Sequence, residues 1–297
     1  MNPRWNGQFS RFDLVACSEA KSGAAHRSIV RVRDIEIGGC DFVVIAGPCA
    51  VESEDQLLRT AEAVAKAGAH LLRGGAYKPR SSPYSFQGLG VDGLKILGKA
   101  RQQTGLAIVT EVMSEQDVGV IAEYADIMQV GTRSMQNYAL LEALGRCGRP
   151  VLLKRGMTAT LEELLCSAQI LATAGNHEII LCERGIRTFE TATRNTLDIA
   201  AVPVLKTVSH LPVIVDPSHA AGVRSLVPIL ARAAAVVGAD GLLVEVHPNP
   251  DTALSDGEQS LTFREFREMM EDIDPYLALR QEGRQLRPRL VASGGTD

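Results

Sequence analysis

From residue 42 onward a short apolar run recurs every 20 to 35 residues, and each run is followed by a stretch of helical length with an apolar face. The runs lie at 42–46, 70–74, 107–110, 126–130, 151–154, 178–182, 212–215 and 241–246. Near-continuous apolar runs of this length read as strands buried on both faces. Ser53 with Gln56, Ser114 with Asp117 and Thr160 with Glu163 stand at helix-capping spacing, and Gly68, Gly105 and Gly175 fall where helices should end. Strand and helix in regular alternation make a parallel sheet with right-handed crossovers. Eight such units close it into an α/β fold, a (β/α)8 TIM barrel. A doubly wound open sheet is the competing architecture, weakened by the absence of Gly-x-Gly-x-x-Gly after the first strand.

The flanks read differently. Residues 1–28 are polar and irregular, which predicts a flexible N-terminal arm free to dock on a neighbour. Residues 29–37 alternate apolar and charged positions with one phase slip at Arg33-Asp34, and Gly38-Gly39 turns the chain toward the first barrel strand. A small β-hairpin plugging one barrel end has this pattern. The last helix is predicted at about 260–272. The barrel domain then spans 29–273, with 274–297, which holds Pro275, as a polar C-terminal tail.

Composition narrows the function classes. The chain has 297 residues, a length that a single closed barrel reaches. A net charge of −4 argues against a nucleic-acid partner, so any cluster of cations needs a local reason. No apolar run approaches the roughly 20 residues of a membrane helix and no signal-peptide core opens the chain, which predicts a cytoplasmic protein. The six cysteines show no Cys-x-x-Cys spacing and no disulfide framework.

In a parallel barrel every strand ends at one mouth, so polar residues at the strand ends converge. Arg73-Gly74-Gly75-Ala76-Tyr77-Lys78-Pro79-Arg80-Ser81 concentrates three cations beside a Gly pair, and Arg133, Lys154 and Arg184 end other strands. A solvated basic loop fits the first stretch by itself equally well. Cations aimed inward from several strands, however, repel one another unless anions join them, and their number suits two phosphates and a carboxylate. Glu111 and Asp216 lie at further strand ends. Cys49, His219, Glu245 and Asp256 form a second set. Singly each reads as a buried hydrophobe or a structural polar group, and together as a mixed S/N/O set for one divalent ion such as Zn, Mn or Fe(II).

Gly47-Pro48-Cys49-Ala50-Val51-Glu52-Ser53, the Arg73 stretch continuing to Ser85-Phe86-Gln87-Gly88, Leu153-Lys154-Arg155-Gly156, Cys182-Glu183-Arg184-Gly185 and Asp216-Pro217-Ser218-His219-Ala220 occur in order. Together they resemble the type I 3-deoxy-D-arabino-heptulosonate 7-phosphate synthases, the subfamily that includes 3-deoxy-D-manno-octulosonate 8-phosphate synthase. The resemblance spans roughly 29–272 and implies condensation of phosphoenolpyruvate with erythrose 4-phosphate, the first step of the shikimate pathway. It implies one divalent metal ion (Mn, Fe, Zn or Co) on Cys49, His219, Glu245 and Asp256. Arg133 and Arg184 would clamp the phosphoenolpyruvate phosphate, Arg73 and Lys154 its carboxylate, and Lys78 would stand near the reacting carbons. Arg80 and Ser81 would hold the acceptor phosphate, distinguishing the four-carbon acceptor from that of the octulosonate enzymes. Glu111 is expected to assist the attacking water, and Asp216 to order acceptor hydroxyls or simply to cap its strand end. Homodimers or homotetramers are expected by the same resemblance. Many members carry an added regulatory domain, which the short arm before Ile29 does not supply. An octulosonate phosphate synthase and an idle phosphometabolite-binding barrel are the alternatives.

Overall fold

The computed structural model describes residues 8–9, 11–17, 27–78, 84 and 86–285, with side chains through residue 279. It opens with a hairpin, β1 (Val30–Val32) and β2 (Ile35–Ile37). Eight strands follow: β3 (Val43–Gly47), β4 (Leu71–Arg73), β5 (Ala107–Val112), β6 (Ile127–Val130), β7 (Val151–Lys154), β8 (Ile179–Glu183), β9 (Val213–Val215) and β10 (Gly241–Glu245). Between and after them run α1 (Glu54–Lys66), α2 (Val91–Thr104), α3 (Val118–Ala122), α4 (Tyr138–Arg146), α5 (Leu161–Thr173), α6 (Ala201–Val208), α7 (Pro217–Ala221), α8 (Val227–Val236) and α9 (Phe263–Gln285). The eight strands pair in parallel, in chain order, and β10 closes on β3. The TIM barrel and its N-terminal hairpin extension are as the apolar periodicity predicts. Helix α7 is an extra turn within the loop after β9.

Alternation along each strand divides the core. Outward side chains such as Val44, Leu72, Ile108 and Leu153 pack under the helices, while inward ones such as Ile45, Val109, Ile180 and Leu243 fill the barrel axis. Val30, Val32 and Ile37 join the axial cluster, so the hairpin seals one end. It binds residues that precede strands: Arg31 N donates to Glu178 Oε2 at 3.3 Å and Arg33 Nε to Asp126 Oδ1 at 3.1 Å. The plugged end is therefore the N-terminal one, and the polar mouth lies opposite. Among the described residues no helix is long and apolar enough to cross a membrane.

Capping chemistry sets the helix starts. Ser53 accepts from Gln56 N, and Thr160 with Glu163 forms a complete capping box, whereas Ser114 Oγ bonds the Asp117 carboxylate and leaves its helix without a side-chain cap. The hairpin turns at Arg33-Asp34, where the phase slips, because Arg33 takes a left-handed φ of 56° and Val32 then faces Ile35; Gly38 redirects the chain toward β3, as expected. Two other local expectations are corrected. Helix α9 runs through Pro275 to Gln285, since buried Ile273 and half-buried Tyr276 and Leu277 keep it against the core despite the lost backbone bond. The described part of the N-terminal arm lies on the barrel: Phe9, Phe12 and Val15 are buried, Arg11 pairs with Glu162 of α5, and Ser209 Oγ donates to Val15 O at 2.6 Å.

Ile37 is fully buried in the plug. Ile37→Ala should lower the unfolding free energy by about 2–5 kcal/mol, the cost of a large-to-small core change. Denaturant titration checks this, and a loss well under 1 kcal/mol would mean that the hairpin is not part of the core.

Candidate active site

Beyond the barrel rim, the chains leaving β3 and β4 stay paired. Gly75 N donates to Cys49 O at 3.1 Å and Val51 N to Gly75 O at 3.0 Å, which carries Cys49 and Lys78 to the same point above the axis. A side chain at 75 would force Lys78 to move, because a Cβ there would lie 2.6 Å from Lys78 Cε and 2.7 Å from its Nζ. Over that bare backbone Lys78 Nζ reaches Cys49 Sγ at 3.0 Å. The loop after β10 folds back in a similar way. Leu261 N donates to Glu245 O, and the return brings Asp256, at a left-handed φ of 53°, over the mouth.

Asp216 caps α7, with Oδ1 accepting from His219 N at 2.9 Å. The same carboxylate puts Oδ2 at 2.8 Å from His219 Nδ1, close but too bent for a full hydrogen bond, since Nδ1 has no aligned partner. Its charge still favours the imidazole proton on Nδ1. Nε2 then turns its lone pair toward Glu245 Oε1 and Asp256 Oδ2, each 3.5 Å away.

Cys49 Sγ, His219 Nε2 and one oxygen each of Glu245 and Asp256 all lie within 4.8 Å of one another. The second carboxylate oxygens are occupied elsewhere: Gln259 Nε2 donates to Glu245 Oε2 at 2.6 Å, and Arg194 Nη1 to Asp256 Oδ1 at 3.1 Å. Burial, and next Glu245, push the Cys49 thiol up to about 12, Lys78 only partly offsetting them. The thiol proton therefore stays on sulfur, pointing at Asp256 Oδ2 3.3 Å away. Burial raises Asp256, but His219 and Arg194 outweigh it and hold its carboxyl well below the usual range. Two carboxylate oxygens, an imidazole lone pair and a thiol facing one point fit a divalent cation, which would displace the thiol proton.

Among the described residues six cations line the cavity: Arg73, Lys78, Arg133, Lys154, Arg184 and Arg194. Arg73 Nη1 pairs with Glu245 Oε1 at 2.9 Å, and Lys154 Nζ with Asp216 Oδ2 at 2.5 Å. Both pairs are nearly solvent-free. Arg194 takes Asp256 and Lys78 takes Cys49. Among the described residues, Arg184 and Arg133 are left without a carboxylate. Arg184 is buried, and its Nε and Nη1 have no hydrogen-bond partner among the described residues. Burial pushes its guanidinium down, a shift that Asp216 opposes and Arg194 reinforces.

The structure thus brings together Cys49, Arg73, Lys78, Glu111, Arg133, Lys154, Arg184, His219 and Asp256 on one cavity, with Asp216 and Glu245 fully buried just behind. Glu111 lies within β5, its Oε1 resting on Gly131, where a Cβ would come within 1.9 Å. Arg80 and Ser81 lie outside the described residues. Arg155 and Glu183, also at strand ends, turn away from the mouth; Arg155 Nη1 bonds Glu183 Oε2 at 2.8 Å and Asp198 Oδ2 at 2.7 Å, bracing the loop after β8. Sequence reasoning missed Arg194, Gln129, Met157 and Ser255 on the cavity and Gln259 beneath it. Gln129 was open to detection as a polar residue in an apolar strand; the rest sit in loops with no local signal.

Gly75→Ala should displace the Lys78 ammonium by about 1 Å and lower turnover roughly 100-fold, the scale of such a misplacement. Steady-state rates with circular dichroism as a folding control check this; undiminished turnover would mean that the Lys78–Cys49 contact is dispensable.

The chain is similar to several known proteins. The sequence profile of the DAHP synthetase I family matches residues 18–278. Phospho-2-dehydro-3-deoxyheptonate aldolase of Thermotoga maritima is 54% identical over 246 residues, covering 83% of this chain and 73% of the relative. A 2-dehydro-3-deoxyphosphooctonate aldolase of Acidithiobacillus ferrooxidans is 36% identical over 236 residues, covering 73% and 82%. The crystal structure of the Thermotoga maritima phospho-2-dehydro-3-deoxyheptonate aldolase (DAHP synthase) superposes with a TM-score of 0.85 at 51% identity, covering 89% of this chain and 77% of that one. A truncated form of the Thermotoga maritima 3-deoxy-D-arabino-heptulosonate 7-phosphate synthase gives 0.83 at 47% identity, covering 92% and 98%. With the profile match spanning most of its length, the chain belongs to the DAHP synthetase I family.

Proposed function

We propose that this barrel condenses phosphoenolpyruvate with erythrose 4-phosphate, consuming one water and releasing 3-deoxy-D-arabino-heptulosonate 7-phosphate and inorganic phosphate. The observation that carries the reading is Arg184, a buried guanidinium with two unpartnered nitrogens, facing the same cavity as Arg133. A cation held in that state needs an anion with several acceptor oxygens, and a phosphate supplies them.

Arg184 and Arg133 take the phosphoenolpyruvate phosphate. Arg73 and Lys154 take its carboxylate while remaining tied to Glu245 and Asp216, which fixes their direction. Arg80 and Ser81 hold the far phosphate of the acceptor, so that the aldehyde carbon meets C3 of phosphoenolpyruvate. One C–C bond forms there, water adds at C2, and the C2–O bond to phosphate breaks. Lys78 donates a proton to the oxygen that was the aldehyde, or to the departing phosphate. Glu111 orients and deprotonates the attacking water. Asp216 holds His219 and Lys154 and orders acceptor hydroxyls through water. When bound to Cys49, His219, Glu245 and Asp256, a divalent ion supplies Lewis-acid stabilisation worth several kcal/mol. That thiol, imidazole and carboxylate set suits Mn, Fe, Zn or Co. The cations also offset repulsion between two anionic substrates, which is an orientation effect.

Phosphate release decides the substrate pair. With Mn2+, phosphoenolpyruvate and erythrose 4-phosphate should yield phosphate. Chelator treatment should abolish the reaction and added Mn2+ restore it, whereas arabinose 5-phosphate should not substitute. Release with the five-carbon sugar alone would overturn the acceptor assignment. Separately, Lys78→Ala should lower kcat by about 100-fold or more with little change in KM for phosphoenolpyruvate. A loss confined to KM would remove Lys78 from proton transfer.

A further inference from the structure

Asp256 is the one member of the Cys49, His219, Glu245 and Asp256 set carried by a long loop rather than standing at or beside a strand end. Its backbone is in the left-handed region, at φ 53° and ψ 36°, which few non-glycine residues occupy without support. Two residues earlier that loop is tied to another strand's loop by a single side chain. Glu52 Oε1 accepts from Leu254 N at 2.8 Å, and Glu52 Oε2 lies 3.3 Å from His247 Nε2. His247 Nδ1 accepts from Asn249 N at 3.1 Å, so its only ring proton is on Nε2 and points at Glu52. Glu52 is itself anchored: its N donates to Gln56 Oε1 in the first turn of α1. One carboxylate thus spans the start and the end of the 247–254 turn. Directly after that turn, Ser255 Oγ meets Cys49 Sγ at 3.0 Å and Asp256 Oδ2 meets it at 3.3 Å.

We propose that Glu52 is a positioning residue for metal binding: it latches the β10 loop through His247 and Leu254 N, and so delivers Asp256 to the cation site. The proposal rests on the metal reading of that site. The latch requires an acceptor at both ends. Glutamine, of the same shape, presents NH2 to either the His247 N–H or the Leu254 N–H whichever way its amide lies, and so loses one of the two bonds. Glu52 contacts neither the substrate cavity nor the donor atoms, which separates its role from that of the ligands.

The test titrates the chelator-treated full chain with Co2+ alone, following the thiolate-to-cobalt absorption and competing with a chelator for the affinity. Glu52→Gln should weaken Co2+ binding about tenfold or more, within the range of outer-shell changes at metal sites. Activity lost at low metal should return as the metal concentration rises. In an Asp256→Ala background Glu52→Gln should weaken Co2+ binding little further, because the latch acts through Asp256. His247→Asn, which keeps an acceptor near Nδ1 and removes Nε2, should reproduce the effect and serves if Glu52→Gln does not fold. Unchanged Co2+ affinity in Glu52→Gln or His247→Asn, or an equal loss with and without Asp256, would overturn the latch. If Asp256→Ala alone left Co2+ binding intact, the metal reading itself would fail instead.

Discussion

Charge taken out of water at the mouth of this barrel has to be neutralised where it stands, and most of the site's geometry follows from how that is done. Arg73 meets Glu245 and Lys154 meets Asp216 across strands, with almost no solvent on either pair. Removing one partner from such a pair typically costs about 3–5 kcal/mol, because the other is left buried and alone. Glu245 and Asp216 are bound by a second demand as well, one facing the convergent thiol, imidazole and carboxylate, the other holding the imidazole. The cations and the donor set are therefore one electrostatic unit. Arg184, with no carboxylate of its own, is the open valence of that unit.

Direction comes from the closed parallel sheet, and fine placement from backbone that continues to pair beyond it. The Gly75–Cys49 ladder and the Leu261–Glu245 return extend the barrel by one more layer of hydrogen bonds. Loops held this way set a side chain nearly as firmly as a strand does, which a site handling two anions requires. Glycine at 75 and at 131 gives Lys78 and Glu111 room to lie flat on the backbone.

Much of this was legible in the chain because apolar runs locate strand ends, and strand ends in a closed barrel share one face. Cys49, Arg73, Lys154, Arg184, His219 and Glu245 are all within a few residues of such an end. What the pattern could not show depended on contacts distant in sequence. Arg194 and Gln259 matter only because their loops fold over Asp256 and Glu245. Arg155 and Glu183 share the strand-end signature of Lys154 and Arg184, yet pair with each other and face away. The turn at Arg33-Asp34 lacks a glycine, and its guanidinium bonds to Asp126 Oδ1 and Gly105 O offset the unusual φ. Phe9, Phe12 and Val15 form too short a pattern to predict a docked arm, and Pro275 reads as a helix stop that tertiary packing overrides.

Diffraction from crystals grown with Mn2+ and phosphoenolpyruvate, with anomalous data at the manganese edge, would test the site as a whole. A single anomalous peak among Cys49, His219, Glu245 and Asp256, with phosphate density on Arg184 and Arg133, is the expected result. A peak elsewhere, or a phosphate bound away from Arg184, would contradict it.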